Sequence, residues 1–162
     1  GYDEEVFFAE RRILKEQVIK NIDLQIIATD ISEDAIDVSR RNAQTAGVDT
    51  LITFEVCDFE ETQVPEGGRG VVVFNPEYGE RLGVHSKLEL TYKRMGDFMK
   101  KNCKGYFGYI FTGNPDLAKK IGLKADQKVE FYNGKLDCRL LTYELYDGTR
   151  RAEEDRPKAK LD

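Results

Sequence analysis

The residues best suited to chemistry are Asn75, Pro76 and Tyr78, which follow the apolar run Val71 to Val73. The run predicts a buried strand that ends at Asn75. The side-chain oxygen of Asn75 and the backbone carbonyl of Pro76 can both accept hydrogen bonds from one exocyclic amino group, and Tyr78 can stack on the base that carries it. The corner therefore suits methylation of a nucleobase amino group, although a proline turn that closes a strand is an equally ordinary explanation.

Two acids follow strands that come earlier in the chain. Gln25 to Asp30 predicts a short buried strand that ends in a carboxylate, and Leu51 to Val56 predicts a second strand that is followed by Asp58. In an open parallel sheet, ligands bind at the carboxyl ends of the strands. The first acid could bind ribose hydroxyls, and the second could accept from an adenine amino group. Each acid alone is more simply a cap or turn residue, but together with Asn75 they favour a nucleotide site.

Helices alternate with these strands, and a hairpin closes the chain. The predicted helices are Asp3 to Lys20, Ser32 to Gly47, Lys87 to Asn102 and Asn114 to Gly122. The first has an apolar stripe of Phe7, Leu14 and Val18, and the third has one face with Leu88, Tyr92, Met95 and Met99. The further strands are Tyr106 to Thr112 and the two arms, Lys128 to Tyr132 and Lys135 to Tyr146, that flank Asn133 and Gly134. The pattern predicts an α/β fold with a mainly parallel sheet and one reversed strand at its edge.

The composition indicates one soluble globular domain. The chain has 162 residues, of which 40% are hydrophobic and 34% are charged. No apolar run approaches the length that spans a membrane, and the acidic start lacks the basic region of a signal peptide. We expect a cytoplasmic protein with one domain at residues 1–146 and a charged linker or disordered tail at residues 147–162.

The net charge of −5 argues against a self-sufficient nucleic-acid binder. Basic residues do cluster after the corner, and they should form a solvated helix face of which a part could contact phosphates: Arg81, Lys87, Lys93, Arg94, Lys100, Lys101 and Lys104. The three cysteines, Cys57, Cys103 and Cys138, have no metal-ligand spacing, so we expect reduced and buried thiols. The single histidine, His85, is more simply a surface residue than a catalyst.

Three motifs resemble successive motifs of class I S-adenosylmethionine-dependent methyltransferases. They are Ala28 to Ile31, Cys57 to Phe59 and Asn75 to Gly83. The nearest resemblance is to the branch that methylates guanine N2 in large-subunit (23S) ribosomal RNA and carries a THUMP RNA-binding domain upstream. Residues 111–115 and 133–141 also resemble that branch, so the similarity covers nearly the whole chain. The short Asn-Pro-x-Tyr motif is shared with adenine-N6 methyltransferases, whereas its extension to Gly83 is more specific to the RNA branch.

The resemblance implies a Rossmann-like fold, S-adenosylmethionine as the cofactor, and a role for each matching residue. The residues implied at the cofactor are Asp30 (ribose), Ile31 (packing on adenine), Asp58 (adenine amino group), Phe59 and Asn75. The residues implied at the base are Asn75 and Pro76, which would hold guanine N2, and Tyr78, which would stack on the flipped base. N2 would displace the methyl group directly, without a metal, so the protein's contribution would be mainly positional.

The sequence departs from the family in two places. Glu77 stands where the family usually has a second proline, so a charge lies beside the target base. The family's glycine-rich loop, first strand and THUMP domain are not in this chain. We therefore expect a fragment in which the strands ending at Asp30 and Asn75 have unpaired inner edges. Alone, it should bind S-adenosylmethionine weakly or not at all, and it should reach ribosomal RNA through a domain outside this chain. An adenine-N6 methyltransferase on DNA or RNA and a non-catalytic RNA- or partner-binding module remain the alternatives.

Overall fold

The computed structural model describes residues 2–19, 22–67, 69–78 and 85–146. The chain forms two compact units with their boundary between Cys57 and Asp58. The proposed tail at residues 147–162 and residues 79–84 of the long motif lie outside the described residues, as does the side chain of His85. Within the described part, no helix is long and apolar enough to cross a membrane.

The first unit contains two strands that pair in parallel and two helices, one before each strand in the sequence. Its elements are α1 (Glu4–Glu16), β1 (Ile26–Asp30), α2 (Glu33–Ala46) and β2 (Ile52–Val56). Ser32 begins α2 because its hydroxyl accepts from the Ala35 N–H, and Gly47 ends the helix in the left-handed conformation at φ 72°. The prediction for α2 is therefore confirmed at both ends.

The helix α1 is shorter than predicted. Asp3 begins it, because its carboxylate accepts from the Val6 N–H at 3.2 Å. The helix ends at Glu16, before the β-branched pair Val18 and Ile19, which lose side-chain freedom in a helix. No residue of α1 is buried, so its apolar stripe faces outward. The prediction of a helix that reaches Lys20 was wrong at its C-terminal end.

The second unit is a four-stranded sheet with its helices on one face. Its elements are β3 (Val71–Phe74), α3 (His85–Asn102), β4 (Phe107–Thr112), α4 (Pro115–Ala118), β5 (Gln127–Asn133) and β6 (Leu136–Glu144). The strand order is β3-β4-β6-β5, with β3 parallel to β4 and β6 antiparallel to both of its neighbours. The α/β fold class is confirmed, together with the hairpin at Asn133 and Gly134. The reversed strand β6, however, lies inside the sheet and not at its edge, because it pairs with β4 as well as with its hairpin partner.

The core of the second unit lies between α3 and one face of this sheet. All four residues of the predicted apolar face of α3 are buried: Leu88, Tyr92, Met95 and Met99. Leu88, Tyr92 and Met99 belong to one buried core cluster with the β4 and β6 side chains Ile110, Leu141 and Tyr143. Gly96 allows the close approach of α3 to the segment after α4, since a Cβ at this position would collide with the carbonyl oxygen of Ile121.

The strand β3 is only half buried and ends one residue earlier than predicted. Val71 and Val73 are 60% and 64% exposed, whereas Val72 and Phe74 pack against the core. The prediction of a fully buried strand was wrong, because an unbroken valine run has no alternation that would mark an outer face. Among the described strands, β3 pairs only with β4 and β1 only with β2, so each has one edge without a described partner.

The three cysteines, which all lie in the described residues, form no disulfide. Cys103 and Cys138 are buried as expected, and Cys57 is half-buried. Burial raises the pKa of the Cys103 thiol to about 11, so this thiol stays protonated and unreactive at neutral pH. The described residues contain no cluster of His, Cys, Asp and Glu side chains that could hold a metal ion.

Candidate functional site

The corner after β3 brings Asn75 and Tyr78 into direct contact. The Tyr78 hydroxyl donates a hydrogen bond of 2.8 Å to Oδ1 of Asn75. Burial, with a smaller contribution from Cys138, raises the pKa of Tyr78, so the hydroxyl remains a donor at neutral pH. An amide oxygen has two lone pairs, so Oδ1 can still accept from an incoming amino group. Asn75 is exposed at the carboxyl end of the parallel pair β3-β4, where a ligand can reach it.

Side chains from α3 and from the loop after β4 hold the backbone of this corner. From α3, the Tyr92 hydroxyl donates to the carbonyl oxygen of Glu77 at 3.2 Å and lies 2.8 Å from the Thr112 hydroxyl. From the loop after β4, the Asn114 side chain donates to the carbonyl oxygen of Tyr78 at 3.0 Å. Tyr92 and Thr112 are both buried. The two carbonyls that follow Pro76 are therefore fixed by groups on the rigid core.

Sequence reasoning assigned Tyr92 to the core, Thr112 to a strand and Asn114 to a helix cap, and so it missed their contacts with the corner. The cap itself is confirmed, since Oδ1 of Asn114 accepts from the N–H groups of Asp116 and Leu117. The sequence signal that could have indicated the second contact is that the cap residue, Asn114, is an asparagine. An asparagine cap accepts through its oxygen and still has an NH₂ group to donate elsewhere, which serine and aspartate caps lack.

The ring of Tyr78 is supported by packing on its side toward the sheet. It makes an edge contact with Phe111 at a centroid distance of 6.3 Å, and Phe111 makes another with Phe131 at 5.8 Å. Gly113 leaves room for the ring, because a Cβ there would lie 3.2 Å from Cδ2 of Tyr78. The ring remains partly exposed. A supported, accessible aromatic ring can serve as a stacking platform for a base.

Asp58 lies at the start of the second unit with both carboxylate oxygens engaged. Oδ1 accepts from the Glu60 N–H at 3.0 Å, and Oδ2 pairs with Arg94 at 2.8 Å. Arg94 also pairs with the Glu60 carboxylate at 2.6 Å. The hydrogen bond from Arg94, followed by the backbone bond from Glu60, lowers the pKa of Asp58, so the carboxylate is ionised at neutral pH. Each carboxylate oxygen can accept more than one hydrogen bond, so Asp58 can still bind an amino group.

The neighbour of Asp58, Phe59, packs into the core. Its ring makes edge contacts with Phe74 at 5.5 Å and Phe98 at 5.9 Å, and the Arg94 guanidinium lies 5.1 Å from its centroid. Phe59 thereby fixes the turn that presents Asp58. Arg94, which belonged to the predicted basic cluster, is neutralised by two carboxylates and is a poor candidate for a phosphate contact. The cofactor contact implied for Phe59 stays a prediction.

The two remaining predicted site residues belong to the first unit. Asp30 ends β1, and its Oδ1 accepts from the Ser32 N–H at 2.8 Å. Ile31 follows with 75% of its surface exposed. The structure thus joins Asn75, Pro76 and Tyr78 in one corner and orients the carboxylates of Asp30 and Asp58 separately. Asp30 is the last residue of β1 in the first unit, whereas Asp58 begins the second unit.

Comparison with known proteins gives a consistent result. Residues 2–142 match the family described as RMKL-like, methyltransferase domain. A curated relative from Syntrophotalea carbinolica, named ribosomal RNA large subunit methyltransferase K/L, is 40% identical over 139 residues. That alignment covers 84% of this chain and 19% of the relative, so the chain spans about a fifth of that protein's length.

Two solved structures are also similar over most of the chain. A possible methylase from Clostridium difficile 630 is 32% identical, with a TM-score of 0.78 over 91% of this chain and 39% of that chain. SMU.472, a protein solved in complex with SAH, is 27% identical, with a TM-score of 0.77 over 91% of this chain and 39% of that chain.

Proposed function

We propose that this chain, which belongs to the RMKL-like methyltransferase domain family, is part of an enzyme that methylates the exocyclic N2 of a guanine in large-subunit (23S) ribosomal RNA with S-adenosylmethionine. The observation that carries the proposal is the corner of Asn75, Pro76 and Tyr78, whose acceptor oxygen is exposed and whose backbone is tied to the core. The name of the 40% identical relative supports ribosomal RNA as the substrate class.

The corner acts on the target nitrogen by orientation. Oδ1 of Asn75 accepts one N–H of the guanine amino group and the carbonyl of Pro76 accepts the other, while Tyr78 stacks on the base. Two acceptors on one NH₂ group turn the nitrogen lone pair out of conjugation with the ring and toward the methyl carbon. The same two oxygens stabilise the positive charge that develops on the nitrogen before its proton passes to water. When bound, S-adenosylmethionine supplies the electrophilic methyl carbon and a neutral thioether leaving group.

The residues implied for the cofactor fit its chemistry. In the first unit, Asp30 presents an oriented carboxylate that suits ribose hydroxyls, and the exposed Ile31 offers an apolar surface to adenine. In the second unit, the pKa of Asp58 is lowered by Arg94, so an ionised acceptor is available to the adenine amino group. We further propose residues 1–146 as one methyltransferase domain of a longer cytoplasmic protein, which reaches ribosomal RNA through a domain outside this chain.

The test uses the full-length protein that contains this chain. It is incubated with methyl-labelled S-adenosylmethionine and, separately, with unmodified 23S ribosomal RNA and with DNA, after which the nucleosides are separated. We expect label in N2-methylguanosine from the RNA. Label in N6-methyladenine, or in DNA alone, would replace the proposal by an adenine-N6 methyltransferase, and no label with any nucleic acid would favour a non-catalytic binding module. The Asn75→Ala protein is the matched control for label that comes from a contaminating enzyme.

A further inference from the structure

The second unit carries a pocket of about 620 Å³ that the proposed chemistry does not use. The pocket lies between the α4 segment and the strands β5 and β6, and its floor is apolar, with Leu123, Leu141 and Tyr143. Its size falls in the range of roughly 300–1,000 Å³ that is usual for small-molecule sites. An apolar floor of this size can accommodate a nucleobase with its sugar.

The rim of this pocket is cationic, although the whole chain has a net charge of −5. Its charged side chains are Lys119, Lys124, Lys128 and Arg139, with Asp137 as the single acid. Lys119 pairs with Asp116 at 2.8 Å, outside the rim, and Arg139 pairs with Asp137 and with Glu130. Lys124 and Lys128 are exposed and make no ion pair within the described part of the chain. Their charges are therefore available to an anionic ligand.

The pocket adjoins the corner that holds the target base. Thr112 and Gly113 line the pocket, and Thr112 shares a hydrogen bond with Tyr92, which in turn donates to the Glu77 carbonyl. A Cβ on Gly113 would contact the Tyr78 ring. The Tyr78 ring contacts Phe111 on the other face of the sheet from the pocket, which is lined by Thr112 and its cross-strand partner Arg139. The two sites therefore meet at Gly113, just after the carboxyl end of β4. A strand whose base stacks on Tyr78 would reach the pocket by passing around this end of β4.

We propose that this pocket binds a nucleotide that flanks the target guanine on the RNA strand. The inference rests on the proposed function, because the RNA strand is placed by the base at the corner. The apolar floor receives the neighbouring base, and Lys124 and Lys128 bind the backbone phosphates beside it. Phosphates complement two unpaired ammonium groups, and the flat apolar floor suits a base.

The experiment compares two double variants of the full-length protein with equal loss of charge. Lys124→Ala/Lys128→Ala removes the proposed phosphate contacts. Lys101→Ala/Lys104→Ala removes two charges that precede the amino end of β4, whereas the pocket includes Thr112 at that strand's carboxyl end. We expect the first variant to raise KM for RNA about tenfold and to lower the slope of log Kd against log salt by about 0.7 for each lost phosphate contact. The KM for S-adenosylmethionine and kcat at saturating RNA should stay within about twofold. Lys124→Arg/Lys128→Arg should restore RNA affinity.

Binding of a single-stranded RNA oligonucleotide, measured by fluorescence anisotropy, separates this inference from the proposed function, because it requires no turnover. Weaker RNA binding by the Lys124→Ala/Lys128→Ala protein supports the pocket even if the methyl group proves to go to another atom. RNA should also protect Lys124 and Lys128, but not Lys101, from acetylation mapped by mass spectrometry. Equal affinity and salt slope in the two double variants, absence of protection, or a wild-type protein that binds duplex DNA but no RNA would each overturn the inference.

Discussion

Replacing Tyr78 by phenylalanine separates the two roles that the structure gives to this side chain. The ring stacks on the base, and the hydroxyl donates to Oδ1 of Asn75 at 2.8 Å. Tyr78→Phe keeps the ring and its contact with Phe111 but removes the hydrogen bond that orients the amide oxygen. The loss should therefore appear in the chemical step and not in RNA binding.

The expected size follows from the geometry of this bond. It joins two neutral and partly exposed side chains, for which a net contribution of about 0.5–1.5 kcal/mol is usual. If the whole contribution is lost in the transition state, kcat falls about two- to thirteenfold. The KM for RNA should change by less than about twofold, because the stacking surface remains. Tyr78→Ala is the matched comparison, and it should weaken RNA capture by the roughly 1–3 kcal/mol of a base–aromatic stack.

The assay is methyl transfer to ribosomal RNA by the full-length protein, with kcat and KM for RNA determined separately for each variant. Single-turnover rates at saturating RNA confirm that chemistry is being measured. A Tyr78→Phe protein with wild-type kcat would show that the hydroxyl does not position Asn75. A Tyr78→Phe protein with unchanged kcat but strongly raised KM would assign the hydroxyl to substrate binding instead.

Four further substitutions test the remaining contacts. Asn75→Ala removes one of the two acceptors for the amino group, so kcat should fall about a hundredfold or more, while cofactor affinity, measured by calorimetry, should barely change. Near-normal turnover would mean that Asn75 only shapes a turn after β3. Asn114→Asp keeps the cap oxygen but loses the NH₂ donor to the Tyr78 carbonyl, so kcat should fall several-fold with little change in the melting temperature, and an equal loss in both would make Asn114 only a cap. Gly96→Ala should cost about 3 kcal/mol or more of unfolding free energy in urea titrations, because its Cβ overlaps a backbone oxygen, whereas the exposed Lys93→Ala on the same helix should cost little. Asp58→Asn should destabilise the protein at pH 7 by no more than about 1 kcal/mol, since the ion pair with Arg94 is partly exposed. Because the folded pKa of Asp58 is lowered, the difference in unfolding free energy from wild type should shrink as the pH falls below about 4. A difference that stays constant down to pH 2 would refute the ionic explanation.

The features that could be predicted from the sequence are those with local causes. Ser32 caps the start of α2, Gly47 caps its end, and Asn133 with Gly134 forms the hairpin turn. These features could be predicted because caps and tight turns depend on a few adjacent residues. The positions of Asp30 at the end of β1 and of Asn75 directly after β3 could also be identified, because each ends an apolar run that predicts a strand.

The features that could not be predicted depend on packing between distant parts of the chain. Tyr92 meets the Glu77 carbonyl across 15 positions, and Arg94 meets Asp58 across 36. Neither contact leaves a periodic signal, because a tyrosine on an apolar helix face and an arginine beside it suit an ordinary amphipathic helix equally well. The exposed side of β3 was hidden for a related reason, since three adjacent valines do not show which face meets the core.

The hydroxyl pair beneath the corner has a fixed direction of proton donation. The backbone N–H of Asn114 can only donate, and it donates to the Thr112 hydroxyl oxygen at 3.1 Å. The single hydroxyl hydrogen of Tyr92 is directed to the Glu77 carbonyl, so the hydrogen between Thr112 and Tyr92 must belong to Thr112. All three donors therefore point toward the corner, and successive bonds in such a chain polarise one another. Burial raises the pKa of Tyr92, so its hydroxyl keeps the proton that it donates to the Glu77 carbonyl at neutral pH.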